Sequence, residues 1–410
     1  MKIIYSFAMS FYSLAIKMIS PFNNKAKLMK EGRKDLFKRL NKDINNVDNY
    51  IWIHAASLGE FEQGRPVIEK IRKDYPQYKL LLTFFSPSGY EVRKNYDGVD
   101  LVYYLPLDSA TNARNFIDIV NPKMVFFIKY EYWYFFLREL KKRDIPTFIF
   151  SSIFLKEQIF FKFYGAFWRN ILKSFTHIFV QTKESISLLN SIGINNCSIA
   201  GDTRFDRVAE IAKSAPKISI IEDFKGLNNV VVCGSTWPKD EEFLSQYIKS
   251  SNDDFKWIIA PHEVHKKHIN DIVKLFDNKC VLYSSADSAN LKDAKILIVD
   301  CIGILSSVYQ YACISYIGGG FGVGIHNTLE AATFGLPIVF GPNYSRFKEA
   351  CDLIDSKAAY SYSEYSQLFS IMNKLIQDEM YRNESGNKSS EYVGMNIGAT
   401  DIILTKAMQK

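Results

Sequence analysis

The chain has 410 residues, of which 47% are hydrophobic and 15% aromatic, and a formal net charge of +7. This length exceeds what a single hydrophobic core usually supports, and the composition excludes a disordered or low-complexity chain, so two domains are expected. The six cysteines are scattered without a Cys-x-x-Cys pair, which excludes a disulfide framework and predicts reduced, buried thiols of a cytosolic compartment.

The N-terminus predicts a membrane anchor over residues 1–22. Ile3 to Ile19 is apolar with Lys17 as its only charge, and residues 21–43 then hold eight Lys or Arg against three acids. A basic segment beside an apolar helix suits the anionic cytoplasmic leaflet, whereas a cleaved signal peptide lacks its small-residue site here. A solvated basic helix is the alternative, and nucleic-acid binding is disfavoured because the charge is local. The apolar run is marginal in length for a full span, so spanning and interfacial placement both stay open.

Short apolar runs alternate with helical patterns along the rest of the chain. This alternation predicts an α/β fold in which doubly wound parallel sheets carry helices on both faces. The predicted strands are 51–55, 80–84, 101–104, 124–128, 147–150, 178–181, 230–233, 257–260, 296–299, 313–317 and 337–340.

The predicted domain division falls where the alternation is interrupted. Lys213 to Lys217 breaks the pattern, which predicts a first domain over 23–212, a linker over 213–226 and a second domain over 227–410. The last helical stretch, after Tyr360, either stays with the second domain or crosses back to the first.

One candidate catalytic residue lies where the first predicted strand meets a helix. The segment from Ile51 to Arg65 gives an apolar strand, a turn of small residues and then Glu60. A carboxylate there suits a general base, because an attacking hydroxyl must lose its proton. A purely structural interpretation has equal weight: Glu60 is then a first-turn acid that the helix dipole favours.

A glycine-rich block from Ile317 to Arg346 forms a strand, loop, helix and strand. Its glycines suit positive φ and close approach to a ligand, and a helix is predicted to start at Asn327, with Glu330 at capping-box spacing. The amides of that first turn would make an anion site at the carboxyl ends of the strands. Capping and turn formation alone would also explain the block, which otherwise resembles the nucleotide-sugar half of a GT-B glycosyltransferase.

Motif order and spacing over nearly the whole chain resemble the 3-deoxy-D-manno-octulosonic acid (Kdo) transferases. The motifs are His54-Ala-Ala-Ser-Leu-Gly-Glu60, Tyr130-Glu131-Tyr132-Trp133, Gly201-Asp-Thr-Arg-Phe-Asp206, Gly234-Ser-Thr236, Pro261-His262 and His326-Asn327 to Pro342. The resemblance implies a GT-B fold of two Rossmann-like domains facing a central cleft. It further implies an inverting transfer of Kdo from CMP-Kdo to a lipid A precursor, lipid IVA, in lipopolysaccharide core synthesis at the cytoplasmic face of the inner membrane. No cofactor or metal is required by this chemistry.

The resemblance also assigns the catalytic residues. It implies Glu60 as proton acceptor, with Glu131 and Arg204 stabilising the transition state. Arg204 stands where many relatives carry lysine, and its structural alternative is an ion pair with Asp202 or Asp206. Tyr132 and its aromatic neighbours Trp133 and Tyr134 are expected to pack rather than react.

The same resemblance implies a set of donor contacts. The residues are Ser235, Thr236, Pro261, His262, Ile302, Gly303, Asn327, Thr328, Leu329 and Glu330. His262 replaces the usual arginine and so loses a fixed charge, while Ile304 replaces an acid and leaves only backbone contacts to Ile302 and Gly303. A plain strand-end turn is the alternative for Ser235 and Thr236, whereas Glu330 accepting from ribose hydroxyls is the firmest expected contact.

The stretch from Phe154 to Trp168 interleaves aromatic and basic residues. It predicts either a helix that rests on the bilayer and receives a phosphorylated lipid, or a core helix.

Other functions remain compatible with the sequence. A nucleotide-sugar epimerase has the same double-domain fold but needs no anchor, a glycosyltransferase could use another donor sugar, and a lipid-binding scaffold would need no nucleotide. The number of Kdo units, the acceptor's phosphorylation preference and the oligomeric state are not determined by the sequence.

Overall fold

The computed structural model describes residues 1–251 and 253–409, with side chains except at 288 and 289. Asn252 and Lys410, which fall within the predicted second domain, lie outside the described residues. Contacts group the chain into two compact units: unit 1 is Met1–Arg207 with Ile397–Lys410, and unit 2 is Val208–Asn396.

Unit 1 is built around a seven-stranded sheet in the order β3-β2-β1-β4-β5-β6-β7. Its strands are β1 Tyr50–Ala55, β2 Lys79–Phe84, β3 Leu101–Tyr104, β4 Met124–Ile128, β5 Thr147–Ser152, β6 His177–Val180 and β7 Cys197–Ile199. Its helices are α1 Lys2–Ile19, α2 Asn24–Gly32, α3 Leu36–Asp43, α4 Leu58–Asp74, α5 Pro87–Arg93, α6 Ala110–Val120, α7 Tyr134–Lys142, α8 Ala166–Leu172 and α9 Lys183–Ser191. All strand pairs of this sheet are parallel.

Alternation along the strands fills a core on each face of this sheet. Trp52 and Phe127 pack on one face, whereas Ile51 and Ile53 pack on the other, and all four are fully buried. Burial on both faces explains why these strands are continuous apolar runs. The strand order reverses between β1 and β4, so the carboxyl ends of these two strands form the topological switch point of unit 1.

Helix α1 lies along unit 1 with no buried residue. On its inner side the Tyr5 hydroxyl donates to Asp108 Oδ2 at 2.6 Å, and the Tyr12 ring stacks 5.9 Å from Phe85. Its outer side is apolar and exposed, with Phe7 and other residues more than half accessible. By length and composition α1 is also apolar enough to cross a membrane.

The C-terminal helix α20, Ala399–Met408, packs against α4 of unit 1. The Asp206 carboxylate accepts hydrogen bonds from the backbone N–H groups of Gly398 and Thr400 and from the Thr400 hydroxyl. Asp206 therefore holds the start of α20.

Unit 2 repeats the architecture with a second seven-stranded sheet in the order β10-β11-β9-β8-β12-β13-β14. Its strands are β8 Val230–Thr236, β9 Lys256–Pro261, β10 Val281–Leu282, β11 Ile296–Ile298, β12 Ile314–Ile317, β13 Ile338–Phe340 and β14 Ala359–Ser361. Its helices are α11 Ser219–Lys225, α12 Pro238–Ser250, α13 Lys266–Leu275, α14 Ser288–Leu291, α15 Leu305–Val308, α16 Leu329–Ala332, α17 Lys348–Asp355, α18 Tyr365–Gln377 and α19 Glu379–Asn396. All pairs are again parallel, and the order reverses between β8 and β12.

The predicted fold class, α/β with two doubly wound parallel sheets and an apolar N-terminal helix, is confirmed. The sequence missed the short edge strands β7, β10 and β14, because two or three residues give no readable periodicity. Helix α10, Thr203–Ser214, crosses the division between the units, and α11 lies inside the predicted linker at 213–226. The predicted domain boundaries stay predictions.

Two local expectations were wrong. The stretch 154–168 is not one helix, since it forms a 3-10 turn at Ile159–Phe161 and then enters α8. Phe160 is buried in the core there, whereas Phe163 is 94% exposed. The cysteines are unpaired, but only Cys233 is fully buried and the other five are half-buried.

Candidate active site

Glu60 lies in the first turn of α4, directly after β1 reaches the switch point of unit 1. Ser57 precedes α4 as its N-cap, and the Ser57 hydroxyl donates a hydrogen bond to Glu60 Oε2. Glu60 is half-buried, so its carboxylate is held by the helix start yet stays accessible.

Glu131 follows β4, the strand beside β1, and lies in a hydrogen-bonded cluster that we call the Glu131 relay: Trp52, His54, Thr83, Glu131 and Trp133. Glu131 Oε2 lies 3.0 Å from His54 Nε2 and accepts from Trp133 Nε1 at 2.5 Å. On the other side of the imidazole, His54 Nδ1 lies 2.9 Å from the Thr83 hydroxyl. Trp52 Nε1 donates to the same hydroxyl at 2.8 Å.

Both ring nitrogens of His54 are engaged within the Glu131 relay. His54 Nδ1 faces the Thr83 carbonyl oxygen at 3.0 Å as well as the Thr83 hydroxyl, which accepts from the Trp52 indole. His54 Nε2 faces Glu131, and Trp133 Nε1 lies 3.2 Å from the same nitrogen. His54 and Thr83 are fully buried, so the relay holds the Glu131 carboxylate at a fixed position.

Arg204 lies near the start of α10 and is connected to α4. Its Nε and one Nη donate to Asp202 Oδ2, both at 2.8 Å. The ion pair with Asp202, expected as the structural alternative for Arg204, is therefore present. Asp202 Oδ1 accepts from Gln63 Nε2 at 2.7 Å, and Gln63 lies one helical turn after Glu60 on α4. Burial raises the pKa of Tyr130, nearby Asp202 adds to this rise and Arg204 opposes it. Arg204 therefore stands within electrostatic range of the loop that carries Glu131.

In unit 2, β8 ends in a backbone turn at the switch point. Ser235 has φ of 54°, which is unusual for a residue with a side chain and occurs preferentially at functional sites. Its hydroxyl has no protein partner among the described residues and is half-buried. Thr236, in contrast, is fully buried, and its hydroxyl donates to Glu241 Oε1 at 2.9 Å while its carbonyl oxygen accepts from the His262 N–H at 3.0 Å.

The glycines after β12 are required mainly by the protein's own backbone. A Cβ on Gly318 would lie 2.2 Å from the Ser235 carbonyl oxygen, and one on Gly320 would lie 2.6 Å from the backbone of Gly341. Gly319 has φ of 91°, as the sequence predicted for this loop, but its N–H donates to the buried Asp240 carboxylate at 2.9 Å. These glycines therefore let two turns pack together. This packing replaces the expectation that they let the backbone approach a ligand.

The helix predicted to start at Asn327 begins two residues later, as α16, and has only four residues. Asn327 Oδ1 accepts from the Leu329 N–H at 3.1 Å, and its Nδ2 donates to Glu330 Oε1 at 2.9 Å. The predicted capping box was wrong, because Glu330 bonds the Asn327 side chain instead of its backbone. Thr328 is buried with a hydroxyl that has no partner in the described part of the chain.

Three rings form a stack above the ends of β8 and β9. His262, which follows Pro261, lies 4.9 Å from the Trp237 ring and 4.4 Å from the His326 ring. Trp237 Nε1 donates to His326 Nε2 at 3.0 Å. Burial, helped by the neighbouring His262, lowers the pKa of His326 to about 4, so the His326 ring is neutral at pH 7.

The loop after β11 is open. Ile302 is 81% exposed and Gly303 has φ of 95°, so this loop offers backbone groups, as expected where Ile304 replaces an acid.

One group of residues in unit 2 has metal-ligand character: Glu263, His265 and His268, whose ligand atoms lie within 4.8 Å of one another. His268 already uses both ring nitrogens, on Glu241 Oε2 and on the Glu263 carbonyl oxygen, each at 2.9 Å. His265 Nδ1 accepts from the His268 N–H. These hydrogen bonds hold the start of α13, which explains why the three side chains lie together.

The sequence missed several residues that complete these clusters. Trp133 was expected only to pack, yet its indole donates to Glu131, whereas Tyr132 and Tyr134 do pack among aromatic rings. His54 and Thr83 are polar residues inside apolar strands, which was the available signal. The sequence carried no such signal for Asp240, because its partner Gly319 is distant in sequence.

Comparisons with known proteins agree with the motifs. Residues 31–207 match the family model described as "3-Deoxy-D-manno-octulosonic-acid transferase (kdotransferase)". The chain is 28% identical over 336 residues to the 3-deoxy-D-manno-octulosonic acid transferase of Rickettsia bellii (strain RML369-C), covering 80% of this chain and 79% of that one. For the transferase of the same name from Rickettsia felis (strain ATCC VR-1525 / URRWXCal2), identity is 29% over 344 residues, with 82% and 74% covered.

A solved structure shares the fold. The UDP-GlcNAc 2-epimerase from Neisseria meningitidis bound to UDP-GlcNAc matches with a TM-score of 0.62 and 15% identity, covering 88% of this chain and all of that one. The resemblance inferred from the motifs and the GT-B-like fold are both confirmed.

Proposed function

We propose that this chain, a member of the Kdo transferase family, transfers Kdo from CMP-Kdo to a lipid A precursor and releases CMP. The observation that carries the proposal is the clustering at the switch point of unit 1. There two carboxylates, Glu60 and Glu131, follow neighbouring strands, and Arg204 is connected to the helix of Glu60 through Gln63. This combination of acid groups and a cation suits a sugar transfer in which a proton is removed and a phosphate departs.

The proposed step is a single displacement. The primary hydroxyl of the acceptor attacks the anomeric carbon of Kdo, and Glu60 takes the hydroxyl proton as the new C–O bond forms. The bond from the anomeric carbon to the CMP phosphate oxygen breaks on the opposite side, and CMP leaves with the electron pair. Attack opposite to the leaving group inverts the anomeric configuration. The half-buried position of Glu60, bonded to Ser57, supports its role as base.

Glu131 and Arg204 act around this step. Glu131 stabilises the transition state from a fixed position, because the Glu131 relay holds its carboxylate. Arg204 offsets negative charge on the departing phosphate, and Asp202 keeps its guanidinium oriented. His54 and Thr83 are positioning residues that act through Glu131.

Unit 2 binds the donor in this proposal. Ser235 and the backbone of Thr236 contact the phosphate, and Glu330 accepts from the ribose hydroxyls, with Asn327 fixing its carboxylate at 2.9 Å. Thr328 and Leu329 add backbone groups at the start of α16. The ring stack of Trp237, His262 and His326, together with the Pro261 backbone and the exposed Ile302–Gly303 loop, contacts the nucleotide.

The protein works at the cytoplasmic face of the inner membrane. The exposed apolar side of α1 and the basic helices that follow support binding to an anionic bilayer. The contacts of α1 with the rest of unit 1 through Tyr5 and Tyr12 support a position in the bilayer interface.

The test is direct. Purified protein is incubated with CMP-Kdo and a tetra-acylated lipid A precursor, with and without chelator, and the lipid is followed by mass spectrometry. A mass gain of one or more Kdo units that resists chelator is the expected result, and it also counts the sugars added. An unchanged lipid from protein that binds nucleotide would overturn the proposal and favour epimerase chemistry or another donor.

A further inference from the structure

A cavity of about 530 Å³ lies in unit 1 between α1, the α2–α3 segment and the loop that follows β3. Its size falls within the roughly 300–1,000 Å³ typical of small-molecule sites. Apolar side chains line it from three directions, including Ile16 of α1, Met29 and Phe37 of the α2–α3 segment, and Leu107 after β3. No role in the proposed transfer uses this cavity.

The lining of the cavity also carries positive charge. Lys17, Lys30 and Lys34 contribute to it, and all three are exposed. Among the described residues none of the three has a carboxylate within ion-pair distance, although Glu31 is also part of the lining. Lys30 Nζ donates only to the Ser20 hydroxyl, at 3.4 Å. Three ammonium groups without a carboxylate partner, beside an apolar interior, favour a ligand with an anionic head and an apolar tail.

Arg33 adds a fourth cation to the lining. Its guanidinium donates to the carbonyl oxygens of Leu105, Met29 and Phe85 at 2.8 to 3.1 Å and has no carboxylate partner among the described residues. Burial lowers the pKa of Arg33 to about 10, so it remains charged at pH 7. This buried charge adds to the positive potential of the cavity.

The position of the cavity suits a ligand from a bilayer. Ser13 and Ile16 face the cavity from the inner side of α1, while Phe7, Phe11 and Met18 are 67% to 73% exposed on its outer side. A helix with one exposed apolar side and a basic flank lies at the boundary of headgroups and acyl chains. The cavity lysines would then be at headgroup level.

We propose that the cavity beneath α1 binds an acyl chain and the phosphate group of a phosphorylated lipid. The chain lies among Ile16, Phe37 and Leu107, and the phosphate is bound by the lysines. Binding does not require the transfer reaction.

A shared wall connects this cavity with the candidate active site. The Arg33 guanidinium lies 5.1 Å from the centroid of the Phe85 ring, and the Trp133 ring lies 4.8 Å from Phe85. Trp133 in turn donates to Glu131. A lipid in the cavity therefore has its head close to the Glu131 relay, which suits the acceptor if the proposed function holds.

The test measures lipid retention on the full-length protein by native mass spectrometry, without nucleotide, using phosphatidylglycerol and phosphatidylcholine with identical chains. We expect one retained phosphatidylglycerol at roughly tenfold higher affinity than phosphatidylcholine. The triple variant Lys17→Gln, Lys30→Gln, Lys34→Gln should lose this preference. Lys25→Gln, Lys27→Gln, Lys38→Gln makes the same charge change on α2 and α3 outside the cavity and should keep it. Equal losses in the two triple variants would overturn the proposal, since bulk attraction would then explain binding.

A variant with a larger side chain in the cavity tests whether its apolar lining binds the acyl chain. Ser13→Phe should reduce retention of both lipids several-fold, whereas Ser13→Ala should not. Unchanged retention in Ser13→Phe protein of native circular dichroism would overturn the proposal.

A competition experiment distinguishes two possible occupants of the cavity, the lipid A precursor and a bilayer lipid. Displacement of phosphatidylglycerol by the tetra-acylated lipid A precursor supports the cavity as an acceptor site, an assignment that rests on the proposed function. Retention of phosphatidylglycerol against that precursor supports a bilayer lipid as the occupant. Because no CMP-Kdo is present, failure to bind either lipid sinks the cavity proposal alone and leaves the transfer proposal intact.

Discussion

The two units share one architecture but carry opposite chemistry at the same topological place. Each is a seven-stranded parallel sheet whose strand order reverses once, between β1 and β4 in unit 1 and between β8 and β12 in unit 2. At the reversal, unit 1 presents the carboxylates Glu60 and Glu131 with the cation Arg204 nearby. Unit 2 presents backbone groups, glycines and the ring stack of Trp237, His262 and His326.

This difference shows that the sheet supplies a place and the turns supply the chemistry. In unit 1 a polar chain from Trp52 to Glu131 is buried inside apolar strands, so the carboxylate it holds is fixed. In unit 2 the buried Asp240 bonds the protein's own glycine loop and the Tyr316 hydroxyl. The proposed function accordingly assigns proton removal to unit 1 and donor binding to unit 2.

The largest effect is expected from removing the base in unit 1. Glu60→Gln keeps the hydrogen bond with Ser57 but cannot accept the acceptor's proton, so kcat should fall by about 10³-fold. The measurement is initial-rate transfer from CMP-Kdo. Glu62→Gln on the same helix is the matched control, since Glu62 pairs with Arg93 instead, and it should stay within about twofold. Comparable losses in both variants would refute the base assignment.

A smaller loss is expected at the cation. Arg204→Ala should lower kcat by about 10²-fold because the departing phosphate loses a charged partner, and Arg204→Lys should recover most of it. Transfer kinetics and thermal unfolding together separate this role from a structural one. If Arg204→Ala lost stability and activity while Arg204→Lys recovered neither, the guanidinium would serve Asp202 alone.

The Glu131 relay should give an intermediate effect. Thr83→Val removes the hydroxyl between Trp52 and His54, so the imidazole that faces Glu131 is held less firmly. We expect kcat to fall by roughly tenfold with little change in KM, and Thr83→Ser to restore it. A Thr83→Val variant with unaltered kcat and pH profile would show that the relay only packs.

The smallest effect concerns pH and unit 2. The pKa of His326 in the folded protein, about 4, lies below its ordinary value of 6.5, so the unfolded chain binds more protons between these values. The stabilisation by neutral His326 is therefore complete above pH 6.5 and is lost as the pH falls toward 4. Thermal unfolding at pH 7 and pH 4.5 should show a smaller decrease in Tm for His326→Gln than for the wild type. An equal decrease in both would contradict this assignment.

Much of the fold was predictable because buried parallel strands are continuous apolar runs, as in Met124–Ile128, whose predicted bounds match those of β4. The candidate residues Glu60, Glu131 and Arg204 were also identifiable, since they follow strands within recognisable motifs. What the sequence could not give were bonds between distant residues, such as Gln63 with Asp202 or Asp240 with Gly319. Short-range rules also failed at α16, where Asn327 bonds the Glu330 side chain and replaces the expected capping box.

The division of labour between the units is tested most directly by calorimetric binding of CMP to the wild type, Glu60→Gln and Glu330→Gln. We predict that Glu60→Gln binds CMP with unchanged affinity, because Glu60 acts only on the acceptor hydroxyl. Glu330→Gln should bind roughly tenfold more weakly, because its carboxylate accepts from the ribose hydroxyls. The opposite pattern, with CMP affinity lost in Glu60→Gln and kept in Glu330→Gln, would contradict the account.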